Sequence, residues 1–161
     1  MTDWLTPSQQ RTWLAYMRVY HRLEYEMNRH LLAECDMSLG DYTVLNALTN
    51  ATGNRMQLTS LATMIGWERS RLSHHLVRMT NRGLVDRVQS DTDGRATDAV
   101  LTATGSKAIE AAAPRHVAWV RQLFFSDLNR TQERDLAGIL TSIYETILRE
   151  GTLPAPDESG D

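Results

Sequence analysis

The sequence predicts a mainly α-helical fold with a small β element, about six helices and two to three short strands in a chain of 161 residues. Apolar residues recur at helical spacing through most of the chain, beginning with Tyr16, Tyr20 and Leu23. Residues 84–89 and 96–101 are instead predicted as two strands, because they flank a polar turn. The length and the apolar content of 42% are those of one ordinary globular domain.

The first helix has a distinct start. Thr6 can cap it, Pro7 occupies the first turn, and Gln9 stands three residues after the cap. The apolar spacing continues to about Glu34, whereas many of the remaining positions are charged. We therefore expect one long helix with a single buried side.

Three short elements follow. Ser38 can cap a second helix that ends near Gly53, and residues 55–57 are long enough only for a short strand, which could complete a three-stranded sheet. Residues 59–65 are predicted as a short helix, and Gly66 turns the chain into the next one. This spacing is typical of a helix-turn-helix.

The helix after Gly66 has two contrasting faces. At about 100° per residue, Leu72, Leu76 and Met79 form a narrow apolar stripe. The opposite face bears hydrogen-bond donors and no carboxylate: Ser70, Arg71, His74 and Arg78. Arginine can donate to guanine O6 and N7, and a bare helix fits the major groove, so this face predicts DNA contact. The alternative, for such a helix taken alone, is a solvated surface helix.

A hairpin with a basic tip follows. Gly83 stands where a helix end needs a left-handed residue, and a polar turn then separates the two predicted strands. Arg95 in this turn could enter a narrow minor groove, where the negative potential is strongest. We expect Asp91 and Asp93 to fix the turn through their own backbone, and their carboxylates to pair with Arg95 or Arg87. A helix with a donor face, a glycine that ends it and a hairpin with a basic tip follow one another here. This order favours a winged helix.

The last two helices continue the apolar pattern. Thr102 can cap a fifth helix, in which Pro114 should introduce a kink or a break because it lacks a backbone N–H. Asn129 can cap a sixth, whose apolar face has no evident partner within a winged helix of this size. That face is formed by Leu136, Ile139, Leu140, Ile143, Ile147 and Leu148. A second copy of the chain would bury it, so we expect a homodimer with its interface in residues 6–35 and 115–150.

These expectations divide a single structural domain into two regions. Residues 1–35 and 102–161 would form a helical dimerisation region, and residues 36–101 would form the winged helix-turn-helix. Two such DNA-reading helices related by a twofold axis, roughly 34 Å apart, would address successive major grooves of a palindrome.

Charge is distributed unevenly along the chain. The net charge of −3, taken alone, argues against a nucleic-acid partner. Residues 54–95, however, contain seven arginines and four acidic residues, so this segment is basic and the remainder is acidic. A basic segment on an acidic scaffold indicates a local phosphate-binding surface.

The segment 66–105 resembles the multiple-antibiotic-resistance regulator (MarR) family of bacterial winged-helix regulators. The matching features are Arg69-Ser70-Arg71-Leu72, Arg82-Gly83-Leu84-Val85, and Asp93-Gly94-Arg95 followed by Leu101-Thr102-x-x-Gly105. The chain departs from the family at Glu68, where a serine or threonine cap is common. The resemblance implies a transcription factor, most simply a repressor, that binds double-stranded DNA as a homodimer.

The predicted DNA contacts form two groups. Bases would be read by the exposed face of the fourth helix and by the hairpin tip: Ser70, Arg71, His74, Arg78 and Arg95. Phosphates would be bound by Arg69, Arg82 and Arg87. The competing class is a winged-helix protein-interaction module without a DNA role, which would lack the steep salt dependence of DNA binding.

Other functions are disfavoured. The five histidines and the single Cys35 include no spacing typical of a zinc site, and no glycine-rich phosphate loop occurs, so we expect no enzyme, metal or cofactor. No stretch approaches the roughly twenty apolar residues of a membrane span. The amino terminus lacks a secretion pattern, so we expect a cytoplasmic protein with no membrane partner.

Members of the MarR family commonly bind small aromatic or anionic effectors between the dimer helices and the winged region, which releases DNA. The resemblance suggests candidate lining residues here, with an arginine or histidine as anion partner: Trp13, Tyr16, Met17, Tyr20, Tyr42, Arg18 and His21. The alternative, which we prefer, is an aromatic core without a ligand.

Some members of the family instead sense oxidants through a cysteine. For Cys35 we favour the role of a small half-buried apolar residue, because no second cysteine or basic pocket is evident.

Overall fold

The computed structural model describes residues 4–156, which form six α-helices and three strands. In chain order these are α1 (Pro7–Cys35), α2 (Leu39–Thr49), β1 (Arg55–Gln57), α3 (Leu58–Ile65), α4 (Arg69–Asn81), β2 (Val85–Gln89), β3 (Thr97–Leu101), α5 (Ala103–Val120) and α6 (Arg130–Glu150). The predicted fold class is confirmed. The outermost residues of the predicted dimerisation region, 1–3 and 157–161, lie outside the described residues.

Side chains cap the helices where the sequence predicts. Thr6 Oγ1 accepts the backbone N–H of Gln9, and the Gln9 side chain accepts the N–H of Thr6. Ser38 makes the same reciprocal cap with Asp41, and Asn129 caps α6. Each such cap satisfies N–H groups that the first helical turn leaves free, which stabilises a helix by about 1 kcal/mol.

The three strands form one antiparallel sheet in the order β1-β3-β2. Arg55 lies opposite Val100 in the first pair, and Val85 lies opposite Leu101 in the second. The short segment before α3 is therefore the third strand of the wing sheet, as predicted. Because β1 precedes α3 and β3 follows β2, the sheet joins both ends of the helix-turn-helix.

The hydrophobic core lies within the winged helix-turn-helix and the parts of α1 and α5 that adjoin it. Its largest fully buried side chains are Leu31, Val44, Leu45, Leu48, Leu61, Leu72, Leu76, Met79 and Val85. The apolar stripe predicted for α4 is thus buried along its whole length. This burial fixes which face of α4 points outward.

Two helix predictions need correction. The second helix ends at Thr49 rather than near Gly53, which instead adopts a left-handed φ of 65° in a short 3₁₀ turn. α5 continues through Pro114 to Val120, so a break at this proline, one of the two predicted outcomes, does not occur. Proline removes one backbone hydrogen bond from the helix, and the buried Ala112 and half-buried His116 on either side of it stabilise the helix there. The helical irregularity comes later, in a π-helical turn at Arg121–Phe125.

α6 and the amino-terminal half of α1 expose large apolar side chains. α6 contains no buried residue within the single chain, and Ile139 and Ile147 are 57% and 58% exposed. On α1, Trp13 and Val19 are exposed to a similar degree. Between residues 4 and 156, none of the helices combines the length and apolar character needed to cross a membrane. The exposed faces of α1 and α6 are therefore large apolar surfaces that no other part of residues 4–156 covers.

Candidate nucleic-acid interface

α3 and α4 form the helix-turn-helix. α3 ends at Ile65 and is capped by Gly66, whose φ of 69° is left-handed, and the N–H of Trp67 donates to the carbonyl of Ala62 at 2.9 Å. Glu68 occupies the cap position of α4, but its side chain makes no capping hydrogen bond. The free amide groups at this helix start are consequently left to solvent or to a ligand.

The outward face of α4 carries the predicted DNA-reading side chains. Five of the predicted contact residues are exposed there: Arg69, Ser70, Arg71, His74 and Arg78. Two of them are held in place by neighbours. The Arg71 guanidinium lies 4.0 Å above the ring centre of Trp67, and Nη2 of Arg78 lies 3.0 Å from Nδ1 of His75. α4 contains no acidic residue, so this surface can approach phosphate without charge repulsion from its own helix.

Arg82, a predicted phosphate contact, has protein partners. Its Nη1 donates to Oδ2 of Asp41 at 2.6 Å, and its Nη2 donates to the carbonyl of Asp36 at 2.8 Å. Arg82 thereby links the end of α4 to the junction of α1 and α2. Its side chain is still 45% exposed, so part of its guanidinium faces solvent.

Sequence reasoning missed Asp41. This carboxylate is buried at the start of α2 and is bonded by Arg82, by the backbone N–H of Ser38, and by His75 at 2.9 Å. Burial alone would raise the pKa of Asp41, but the hydrogen bonds from His75, Ser38 and Arg82 hold it well below its usual range. A signal was present, because Ser38 and Asp41 have the spacing of a capping box.

The wing presents Arg95 at an ordered turn. The N–H of Arg95 donates to the Asp93 carboxylate at 3.0 Å, and the N–H of Ala96 donates to the Asp93 carbonyl at 2.8 Å. The N–H of Ser90 closes the turn on the carbonyl of Ala96 at 3.0 Å. Asp93 thus fixes the turn through the backbone, as predicted, and Arg95 is exposed.

Asp91 has a different partner from the one predicted. It forms a 2.6 Å ion pair with Arg55 rather than with Arg87 or Arg95. Arg55 also donates to the buried Asp98 from Nε at 3.0 Å and from Nη2 at 2.8 Å. The physical reason is the pairing of β1 with β3, which brings Arg55 to the base of the wing from a distant part of the sequence. Arg55 therefore stabilises the wing through ion pairs with Asp91 and Asp98.

Arg87 lies where the wing meets the recognition helix. It is exposed on β2, and its guanidinium reaches Oγ of Ser73 on α4 at 3.5 Å, a weak contact. The side of the wing that bears Arg87 therefore borders α4, so a duplex in contact with one would lie close to the other.

The candidate effector residues on α1 lie along a surface. Trp13 and Tyr16 line an apolar cleft of about 830 Å³ between α1 and α6. The rings of Trp13, Tyr16 and Tyr20 follow one another at 5.6 and 6.2 Å, and each ring is about half exposed. Met17 is partly buried beside them. In a single chain these side chains form an outer face rather than the aromatic core that the preferred alternative expected.

The other candidate effector residues lie elsewhere. His21 lines a second cavity of about 400 Å³, bordered by α1, α2 and α4, to which Glu24 and Arg71 also contribute. Tyr42 instead packs against His116 of α5, with ring centres 4.5 Å apart. The structure therefore divides these candidate residues among three places: the outer face of α1, the cavity lined by His21, and the contact between Tyr42 and α5.

Cys35 lies partly buried at the end of α1. Burial raises the pKa of its thiol, and the nearby Arg115 opposes this effect only in part. A thiol with a raised pKa is mostly protonated near neutral pH and reacts slowly with oxidants. The environment is that of a small apolar residue.

The chain is similar to known regulators in sequence and structure. Residues 26–112 match the family model for the transcriptional regulator SarA/Rot. Sco3205, a MarR family transcriptional regulator from Streptomyces coelicolor solved in complex with DNA, is 32% identical with a TM-score of 0.88, covering 96% of this chain and 98% of that one. AbsC, another MarR family transcriptional regulator from the same organism, is 34% identical with a TM-score of 0.85, covering 92% and 100%.

The fold extends to more distant structures. A mutant MarR from E. coli, complexed with operator DNA, has a TM-score of 0.75 at 19% identity and covers 88% of this chain and 99% of that one. A search of curated protein sequences found no match.

Proposed function

Because the chain belongs to the MarR/SarA family of winged-helix transcriptional regulators, we propose that it is a homodimeric repressor that binds a palindromic operator and responds to a small effector. Membership of this family makes the chain a DNA-binding regulator of transcription and not an enzyme. The dimer, the repression and the effector response are the parts that we add.

The observation that carries the proposal is the pairing of a carboxylate-free helix face with a basic wing tip. The buried stripe of α4 turns Ser70, His74 and Arg78 outward, and the wing holds Arg95 exposed. A helix of this kind fits a major groove, and an arginine on a narrow hairpin fits the adjacent minor groove. Both elements touch through Arg87 and α4, so one duplex could contact them together.

We assign the individual contacts from these positions. Bases are read by Ser70, Arg71, His74 and Arg78 in the major groove and by Arg95 in the minor groove. Phosphates are bound by Arg69, Arg87 and the exposed part of Arg82. Of these, Arg82 contributes least, because its guanidinium already serves Asp41 and Asp36.

Dimerisation is supported by the exposed apolar faces of α1 and α6. Burying a side chain such as Ile143, which is 52% exposed, stabilises an interface by about 25 cal/mol per Å² of apolar area removed from water. A twofold dimer would place two α4 helices on successive major grooves, which requires a palindromic site.

We place the effector in the cavity that His21 lines. Arg71 borders this cavity while its guanidinium stacks on Trp67, so an anion bound there could draw Arg71 away from DNA. Glu24 also borders the cavity, and its carboxylate favours a ligand whose charge lies at the Arg71 end. Tyr25 and Trp67 also line the cavity, so this arrangement suits a small aromatic anion.

Selection of bound sequences from a random duplex library tests the proposal. We expect recovered duplexes to contain two inverted half-sites about one helical turn apart, and their affinity to fall steeply with salt because phosphate contacts release counterions. A duplex of the same length and composition in scrambled order is the control. Recovery of no enriched sequence, or an affinity insensitive to salt, would favour the protein-interaction alternative.

A further inference from the structure

His75 lies behind the proposed DNA-reading face. It contacts the buried Asp41 on one side and Arg78 of that face on the other. Its Nε2 is 2.9 Å from Oδ1 of Asp41, and its Nδ1 is 3.0 Å from Nη2 of Arg78. The His75 side chain is only 12% exposed, whereas the adjacent His74 is exposed. The two neighbouring histidines therefore have different environments, one facing solvent and one bridging α2 to α4.

The partners of His75 determine its tautomer. The Asp41 carboxylate is ionised and can only accept, so Nε2 of His75 carries the proton and donates to it. The guanidinium of Arg78 can only donate, so Nδ1 must accept. Both bonds are satisfied only by the neutral ring with the proton on Nε2. The bond at Nδ1 therefore orients one N–H group of Arg78.

A second path leads from His75 to Arg71. The His75 ring meets Trp67 edge to face, with centres 5.3 Å apart, and the guanidinium of Arg71 lies 4.0 Å above the same indole. A cation over an aromatic face is attracted by the ring quadrupole. The ring of His75 thus supports the platform on which Arg71 rests.

Gly40 on α2 lies directly against the rings of His75 and Trp67. A Cβ atom at Gly40 would lie 2.8 Å from Cε1 of His75, closer than real Cβ atoms come, and 3.1 Å from Cη2 of Trp67, which is tighter than most real contacts. α2 therefore packs tightly against both rings and leaves little room for either to move back from α4. The histidine is fixed from behind by packing and from both sides by hydrogen bonds.

We propose that His75 is a positioning residue of the DNA-binding face, which pre-orders Arg78 through Nδ1 and Arg71 through Trp67. The inference rests on the proposed function, in which both arginines read bases. A long side chain that is ordered before binding loses less conformational entropy when it meets its base. His75 itself contacts no DNA.

A double-mutant cycle on the full-length protein tests this inference. The probe is the duplex recovered from the random library, with the scrambled duplex for comparison, and the readout is fluorescence anisotropy. His75→Leu should weaken binding to the selected duplex about fivefold, a size set by the ordering of side chains such as these. His75→Gln can donate to Asp41 and accept from Arg78 but lacks the ring that supports Trp67, so it should weaken binding by less than His75→Leu does, by about twofold.

The cycle separates positioning from general support of the fold. In an Arg78→Ala background, His75→Leu should weaken binding by a clearly smaller factor than in the parent, because one of its two targets is gone. In an Arg87→Ala background, His75→Leu should weaken binding by the same factor as in the parent, because Arg87 makes no contact with His75. Equal weakening in all three backgrounds, or unchanged affinity of His75→Leu, would overturn the inference.

Gly40→Ala provides a second variant that removes no polar group. It should displace the His75 ring and weaken binding in the parent more than in Arg78→Ala, and additive effects would count against the inference. If circular dichroism shows that His75→Leu does not fold, the Gly40→Ala cycle decides between the two outcomes. A parent protein that binds neither duplex refutes the proposed function, whereas a parent that binds with additive cycles refutes only the role of His75.

Discussion

Nη1 of Arg82, at the end of α4, lies 2.6 Å from Oδ2 of Asp41, near the start of α2. The two residues are 41 positions apart, and this ion pair ties the recognition helix to the core of the winged region. The Asp41 side chain is 7% exposed and that of Arg82 is 45% exposed. Loss of the two residues should therefore have unequal consequences.

We expect Asp41→Ala to lower the free energy of unfolding by about 3 kcal/mol, because it leaves His75, Arg82 and the Ser38 N–H without their acceptor. Arg82→Ala should lower it by only about 1 kcal/mol, since Asp41 keeps its other donors. Urea denaturation followed by circular dichroism measures both values. Equal losses for the two variants would contradict the assignment of Asp41 as the centre of the network.

Stability should fall as the solution is acidified from about pH 7 to about pH 5, in part because of His116. Burial, aided by the neighbouring His30, lowers the pKa of His116 in the folded protein. Near pH 6.5 the His116 side chain therefore binds a proton in the unfolded chain but not in the folded one. Its contribution to the free energy of unfolding is present above that pH and is lost as the pH falls below it. His116→Phe should reduce this loss, by at most about 1 kcal/mol after solvent screening.

Thermal unfolding at several pH values checks the role of His116. The exposed His74 provides the matched control, and His74→Phe should leave the acid-dependent loss of stability in place. If His116→Phe and the parent lose stability in parallel between these pH values, the half-buried His116 is not the source.

Arg95 and Arg87 should affect DNA binding in different ways. Arg95→Ala should weaken binding to the selected duplex by roughly 1–3 kcal/mol and relax sequence preference, because a groove contact is lost. Arg87→Ala should weaken binding to all duplexes alike and lower the salt slope by about 1. Anisotropy titrations over a range of salt concentrations distinguish them. An Arg95→Ala variant with unchanged affinity and preference would refute the minor-groove assignment.

A carboxylate on the exposed face of α6 should disrupt the proposed dimer. Ile143→Asp would place a charge in an apolar interface, which is costly unless the charge is paired. Thr59→Asp adds the same charge at an exposed position outside the proposed interface and should have no effect on assembly. Light scattering at micromolar concentration should report a dimer for the parent and for Thr59→Asp. A parent that scatters as a single 18.3 kDa chain would rule the dimer out.

Cys35 should have no part in regulation. Its raised pKa keeps the thiol protonated, so we expect operator affinity to be unchanged by brief peroxide treatment and by Cys35→Ser. Titrations before and after treatment provide the measurement. Loss of affinity in the parent but not in Cys35→Ser would instead identify an oxidant sensor.

Features with a short sequence range were predictable. The apolar stripe of α4 repeats every three or four residues, so its buried and exposed faces follow from helix geometry alone. The caps at Thr6 and Ser38 likewise involve residues three apart. The turn at Asp93 depends on neighbouring backbone groups and was predicted for the same reason.

Contacts between distant segments were not predictable in the same way. The partners Arg55 and Asp98 are 43 residues apart and meet only because β1 pairs with β3. His75 offered a local clue, because helical geometry places it beside the apolar stripe rather than on the donor face. Nothing local, however, identifies Asp41 as its partner, since that depends on how α2 packs on α4.

The strand order β1-β3-β2 has a consequence for the dynamics of the protein. β1 immediately precedes α3, and β3 follows α4 and β2, so the pairing of β1 with β3 joins the two ends of the segment that contains both helices of the helix-turn-helix. Separation of β1 from β3 would release Arg55 from the wing and, at the same time, loosen the start of α3. The wing and the recognition helix should therefore open as one cooperative unit, and their amide hydrogens should exchange with solvent at a common rate.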